Sequence, residues 1–215
     1  MSTRQQLDEI LARRLLVLDG AMGTMVQRHT LSEAEFRGRR FASHAHDLRG
    51  DNDVLVLTRP DIIAGIHREY LEAGADIIET DTFNGNGVSQ ADYGLGGFVY
   101  EINLEGARIA RAAADEYTAR TPDRPRFVAG SIGPTTRTLS ISPDVNNPSL
   151  RSLTFDQMKA AYVDQIRGLI DGGADVLLVE TVIDALTAKA AIVAIQEVEA
   201  EKGVFLPLMI SVTIT

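Results

Sequence analysis

Short apolar runs rich in β-branched residues alternate with amphipathic stretches along this chain. Gly74-Ala75-Asp76-Ile77-Ile78-Glu79-Thr80 is the central instance, because it returns in lengthened form as Gly173-Ala174-Asp175-Val176-Leu177-Leu178-Val179-Glu180-Thr181. In both copies a helical pattern ends at glycine, an apolar run follows, and Glu-Thr closes it. A run of this kind between helical patterns reads as a buried strand of a parallel sheet. Side chains alternate with period two, so the two additional residues of the second copy leave Glu180 on the face that Glu79 takes in its own strand. A carboxylate thus recurs at the carboxyl end of two parallel strands, the end at which α/β folds carry their chemistry.

The same patterning predicts the remaining elements. Residues 7–14 read as a short amphipathic helix, followed by the strand Leu15-Leu16-Val17-Leu18 and the turn Asp19-Gly20-Ala21-Met22-Gly23-Thr24. Glycine there lets the backbone approach a ligand, with Asp19 either facing that ligand or capping its own turn. Gly20 and Gly23 lack the spacing and the following Lys of a nucleotide-binding loop. From about Gln27 to Asn52 the chain is polar and irregular, a long excursion of the sort that forms a lid or rim. Its pair His44 and His46 has a metal-chelating spacing but sits in a segment polar enough to be solvated. Pro60 starts a helix with Ile62, Ile63, Ile66 and Tyr70 on one face, and Gly74 ends it. The loop after Thr80 has Glu79 and Asp81 at its root, which disfavours a phosphate and favours a cationic or neutral ligand.

Residues 98–119 read as a helix, 126–133 as a strand, and Pro134 to Leu153 as a second long loop at the same end of the sheet. Arg137 is the one cation near this end, placed to meet a substrate carboxylate or to pair with Asp144. Thr154 with Gln157 forms a capping-box pattern, and Phe155, Met158, Tyr162, Ile166 and Leu169 follow at helical spacing as core. Asp184 is a natural N-cap for a helix over 185–202, and 206–215 is a last apolar strand. The β-α-β-α-β-α-β-α-β order fits an open doubly wound sheet or the first part of a (β/α)₈ barrel of the TIM type. A barrel takes about 250 residues and eight strands, so about five strands and four to five helices make it an incomplete one. No shift in composition marks a second domain, and residues 1–215 read as one unit.

Composition narrows the functions. At 215 residues and 45% hydrophobic, the chain can bury a large core. Its formal charge of −9 argues against nucleic acid and anionic membrane surfaces as partners. No apolar run approaches a membrane span and the polar start lacks a signal-peptide core, so a cytoplasmic protein is expected. There are no cysteines, which leaves no disulfide, cysteine nucleophile or thiolate metal ligand within the chain. The three lysines, Lys159, Lys189 and Lys202, fall on predicted helices, which disfavours Schiff-base chemistry at the sheet end.

Leu18-Asp19-Gly20-Ala21-Met22-Gly23-Thr24, the turn Glu79-Thr80-Asp81-Thr82-Phe83-Asn84, Gly133-Pro134-Thr135, Ser140-Ile141-Ser142-Pro143-Asp144-Val145, and Glu180-Thr181 through Ala188-Lys189-Ala190-Ala191 together resemble the amino-terminal homocysteine-binding module of cobalamin-dependent methionine synthases. The resemblance implies a (β/α)₈ barrel that binds homocysteine, with zinc held by three cysteine thiolates and the substrate sulfur as fourth ligand. Zinc lowers the thiol's pKa, so that the nucleophilic thiolate exists at neutral pH. The thiolate then takes a methyl group from methylcobalamin, which methyltetrahydrofolate renews through other modules of a longer parent. The family's zinc cysteines lie on its sixth and eighth strands, expected beyond residue 215.

By similarity Asp19, the Gly20-Ala21 backbone and Glu180 hold the homocysteine ammonium and carboxylate, with Glu79 and Arg137 as further candidates. The chain carries Asp81, Thr136, Thr187 and Val212 where the family has Asn, Asn, Asn and Gly, which bears on the efficiency of catalysis. The expectation is therefore a homocysteine-binding part of a methyltransferase, inactive by itself. The alternatives are a free-standing or vestigial amino-acid-binding half-barrel and an unrelated α/β enzyme. Open sheet edges at the first and last strands further predict self-association.

Overall fold

Four parallel strands stand side by side in the order in which the chain makes them: β1 (Ile77–Glu79), β2 (Phe127–Ile132), β3 (Val176–Val182) and β4 (Leu208–Val212). A doubly wound sheet reverses its strand order at a switch point, whereas a barrel wall advances monotonically, so this order is that of an incomplete TIM-type barrel. The computed structural model describes residues 2–214; Met1 and the expected last strand residue, Thr215, lie outside the described residues.

The expected first strand is reduced to a single bridge, Leu18 to Ile77. Asp76 and Ile77 donate backbone N–H groups to Val17, and Asp19 donates to Ile77, but beyond these the segment has one neighbour only. Leu15 and Val17 remain exposed at 84% and 53%. A strand with a partner on one side and water on the other loses half its ladder and half its burial, which accounts for the shortening.

The helices are α1 (Thr3–Leu11), α2 (Met22–Gln27), α3 (Glu33–Arg37), α4 (Leu55–Thr58), α5 (Pro60–Glu72), α6 (Gly87–Asp92), α7 (Val99–Arg120), α8 (Phe155–Asp171) and α9 (Ala185–Lys202). The capping box of Thr154 and Gln157 starts α8, and Asp184 caps α9 through Leu186 N–H at 3.0 Å. α1 begins earlier than the periodicity suggests, because Ser2 and Gln5 form another capping box. α7 and α8 pack closely: a Cβ on Gly168 would stand 2.5 Å from the Tyr100 carbonyl oxygen, so only glycine permits this approach.

Outer-face residues such as Val128, Leu177 and Val179 pack under the helices, while Ile77, Phe127, Ala129, Val176 and Leu178 line the inner face with Leu7 and Ile10 of α1 against them. Alternation carries this inner face onward to Glu79, Ser131 and Glu180.

The segment from Gln27 to Asn52 is a correction to the polar excursion expected there. Leu31, Phe36, Phe41 and Leu48 are buried in a satellite core with Val54, Leu55, Val56 and Ile63. Glu33 locks it by accepting the backbone N–H of Leu48 at 2.9 Å and of Arg49 at 2.7 Å. Irregularly spaced apolar residues bury themselves here through tertiary contact, which period counting does not register. Within it His44 Nε2 lies 2.8 Å from the Tyr93 carbonyl oxygen, a structural bond.

Candidate functional site

At the carboxyl end of the strands a cavity of about 430 Å³ opens above the inner face. Of the six sequence candidates, Asp19, Gly20, Ala21, Glu79 and Glu180 line it, together with Asp53, Asp81 and Ser131. No Lys or Arg is among its lining residues.

Each carboxylate is delivered by the sheet. Asp19 follows the Leu18 bridge, and both its oxygens accept the Glu79 N–H at 3.1 Å, which ties the first turn to β1. Gly20 sits against Tyr70, whose hydroxyl would lie 3.3 Å from an added Cβ and donates to the Ala21 carbonyl at 3.4 Å. Glu79 ends β1. Glu180 lies near the end of β3 and accepts the Ser131 hydroxyl proton.

The electrostatics follow from burial without a counter-ion. Asp19 is pushed up to about 8 by burial, then by the charges of Glu79 and Glu180. Glu79 rises to about 7 by burial and by Glu180. Burial also raises Glu180, against the pull of the Ser131 hydrogen bond. Behind them Asp53 and Asp81 are held well above the usual range by burial, with Asp51 adding repulsion to both. Asp53 still fixes the β1–α6 loop by accepting the Asn84 N–H at 2.8 Å. Such a site disfavours anions and gains from any cationic group that enters, which would replace several unfavourable proximities with attraction.

Arg137 is absent from this cavity. It pairs with Asp92 at 3.4 Å and lines an adjoining groove over Tyr162 and Asp184, which shares Glu180 with the cavity. The alternative pairing with Asp144 is not formed, because Asp144 holds its own turn through the Asn146 N–H at 2.9 Å. Of the four departures from the family pattern, two are engaged locally here: Thr136 donates to Asp92 at 2.9 Å and Thr187 to Asp184 at 2.7 Å. Asp53 and Ser131 went unremarked in the sequence. The first comes from the irregular segment, while the second is visible only as a hydroxyl on the inner-face parity of an otherwise apolar strand.

Zinc finds no home among these side chains. The sequence has no cysteine, and no group of three His, Cys, Asp or Glu among the described residues is placed to hold a metal ion. No helix among the described residues is long and apolar enough to cross a membrane.

A monotonic parallel wall with half-buried carboxylates and no paired cation at its carboxyl end defines an incomplete TIM-barrel-type protein with an acidic cavity. The family model of homocysteine S-methyltransferases matches residues 16–215, and the chain belongs to that family. Its fold is similar to the homocysteine methyltransferase MmuM of Escherichia coli. The metallated form matches with 21% identity and a TM-score of 0.65 over 92% of this chain and 63% of that chain. The oxidized form gives 23% and 0.66 over 92% and 62%. The apo form gives 22% and 0.61 over 95% and 62%. The chain thus spans less than two thirds of the length of these relatives.

Proposed function

We propose that residues 1–215 are the amino-terminal part of one (β/α)₈ barrel, and that they bind homocysteine for a methyltransferase making methionine with methylcobalamin as donor. The observation that carries this reading is the convergence of Asp19, Glu79 and Glu180 on one cavity lined by no cation. The homocysteine ammonium supplies the missing positive charge, and the Gly20-Ala21 backbone offers a close approach for the rest of the amino-acid moiety. The Ser140–Val145 stretch supports the methionine-synthase type. The zinc ligands and the cobalamin- and folate-binding modules are assigned to a longer cytoplasmic parent, and this chain alone transfers no methyl group.

Titration calorimetry of the chain with L-homocysteine tests the reading. Binding is expected, and Asp19→Asn or Glu180→Gln should weaken it at least tenfold, the scale of a lost charge-assisted hydrogen bond. No binding, or unaltered affinity in both variants, would overturn it. Affinity should also strengthen from about pH 6 to about pH 8, as Asp19 and Glu79 lose the protons that burial holds on them.

A second reading, a half-barrel that binds an amino acid without catalysis, is favoured by the engagement of Thr136 and Thr187 with their own neighbours where the resembled family has Asn. Methyl transfer by a longer parent carrying these residues would decide against it. We also assign self-association to β4, whose Leu208, Ile210 and Val212 are exposed and which pairs only with β3 among the described residues.

A further inference from the structure

Ser131 is 1% exposed, on an inner face that is otherwise apolar up to that level. β1 stops at Glu79, so the ladder beside the end of β2 is completed by hydroxyls. Ser131 N–H donates to Thr80 Oγ1 at 2.9 Å, and Thr82 Oγ1 donates to the Ser131 carbonyl at 2.9 Å. With the Thr82 proton committed there, the 2.6 Å contact between the two threonines is a donation from Thr80 to Thr82. Gln165 of α8 closes the network from outside, donating to the Thr82 and Ser131 carbonyls at 2.8 and 3.3 Å. The Ser131 backbone is therefore clamped on both sides. Its hydroxyl is left free to donate, and its acceptor is Oε1 of Glu180.

We infer that Ser131 is a positioning residue: its hydroxyl holds the Glu180 carboxylate in the cavity opposite Asp19 and Glu79, ready for a cationic ligand group. This is the only hydrogen bond that the Glu180 carboxylate makes among the described residues, so without it a half-buried carboxylate near two others would turn toward water. In the cavity the ionisable groups nearest Glu180 are those two carboxylates, in the adjoining groove Arg137 and Asp184 share its lining, and β2 and β4 contribute no ionisable side chain. The inference rests on the homocysteine reading only for the ligand used to test it.

Two measurements on Ser131→Ala decide the matter. The first follows the Glu180 carboxyl by ¹³C NMR, identified by its absence in Glu180→Gln, and needs no ligand. Loss of the hydroxyl should move its titration upward, and an unmoved titration would overturn the inference. The second is L-homocysteine affinity, expected to fall roughly tenfold in Ser131→Ala and to fall no further when Ser131→Ala is added to Glu180→Gln. An unchanged affinity in Ser131→Ala alongside a weakened Glu180→Gln would overturn it while leaving the proposed function standing. Absence of wild-type binding would overturn the proposed function, and the titration would then decide the role of Ser131 alone. Should Ser131→Ala not fold, Ser131→Cys keeps the side-chain volume with a weaker donor, and the same directions are expected.

Discussion

The two ends of the sheet treat the same residue type in opposite ways. At the amino end, Asp76 and Asp175 of the repeated Gly-Ala-Asp each accept a backbone N–H from the preceding parallel segment, Val17 at 3.0 Å and Val128 at 2.8 Å. Each also meets arginine: Asp76 pairs with Arg14 at 2.8 Å and Arg124 at 2.9 Å, and Asp175 with Arg111 at 2.5 Å. Asp76 is fully buried, yet its hydrogen bonds to Arg14 and Arg124 outweigh burial and hold it at about 2. At the carboxyl end Asp19 accepts a backbone N–H and Glu180 a hydroxyl proton, the Glu79 carboxylate accepts no hydrogen bond among the described residues, and none of the three pairs with an arginine. The internal repeat thus carries two carboxylates per copy, one that joins strands and pairs with arginine and one that has no cationic partner. The first kind is spent on the fold, and the second is available to a ligand.

The largest expected effect lies at the paired end. Asp76→Asn leaves two guanidinium groups without their anion and should cost about 3 kcal/mol in urea denaturation, the scale of a broken buried pair. A cost under 1 kcal/mol would mean that the pairing contributes little and that the contrast between the ends is overstated.

Next comes pH. Asp19 and Glu79 have folded-state values above their ordinary ones, so the stability they contribute is full below about pH 4 and is lost as pH rises through about 7 to 8. Asp76 has the opposite sign, contributing above about pH 4 and losing that contribution as pH falls toward 2. Denaturation midpoints measured across pH should therefore fall between about 5 and 8, and the fall should shrink in the double variant Asp19→Asn, Glu79→Gln. A flat profile for the native chain would remove the electrostatic distinction.

The smallest effect is Glu79→Gln alone at pH 8, expected to stabilise by about 0.5 kcal/mol through relief of like-charge crowding. Destabilisation would show that Glu79 has a structural partner.

Much of this contrast was legible in the chain because it is local and repeated. The Gly-Ala-Asp to Glu-Thr spacing placed Glu79 and Glu180 on one face, and Asp184 with the Thr154–Gln157 pair marked the helix starts. Three things escaped. The short helices between Met22 and Thr58 are held by Leu31, Phe36, Phe41 and Leu48, whose irregular spacing has no period to read. The partner of Arg137 is Asp92, on a helix in the preceding crossover, a contact that only tertiary folding creates. The Leu15–Leu18 run has the composition of a strand, but a strand also needs neighbours, and it has one.

The outer edge of β4 has a thermodynamic consequence of its own. Backbone groups along Leu208–Val212 are paired with β3 on one side, and any strand laid along the other gains main-chain hydrogen bonds and covers exposed Ile210 and Val212. A surface of that kind couples folding to mass action: the midpoint of thermal unfolding should climb with protein concentration if copies meet there, and the same edge fixes where additional sheet would join the wall.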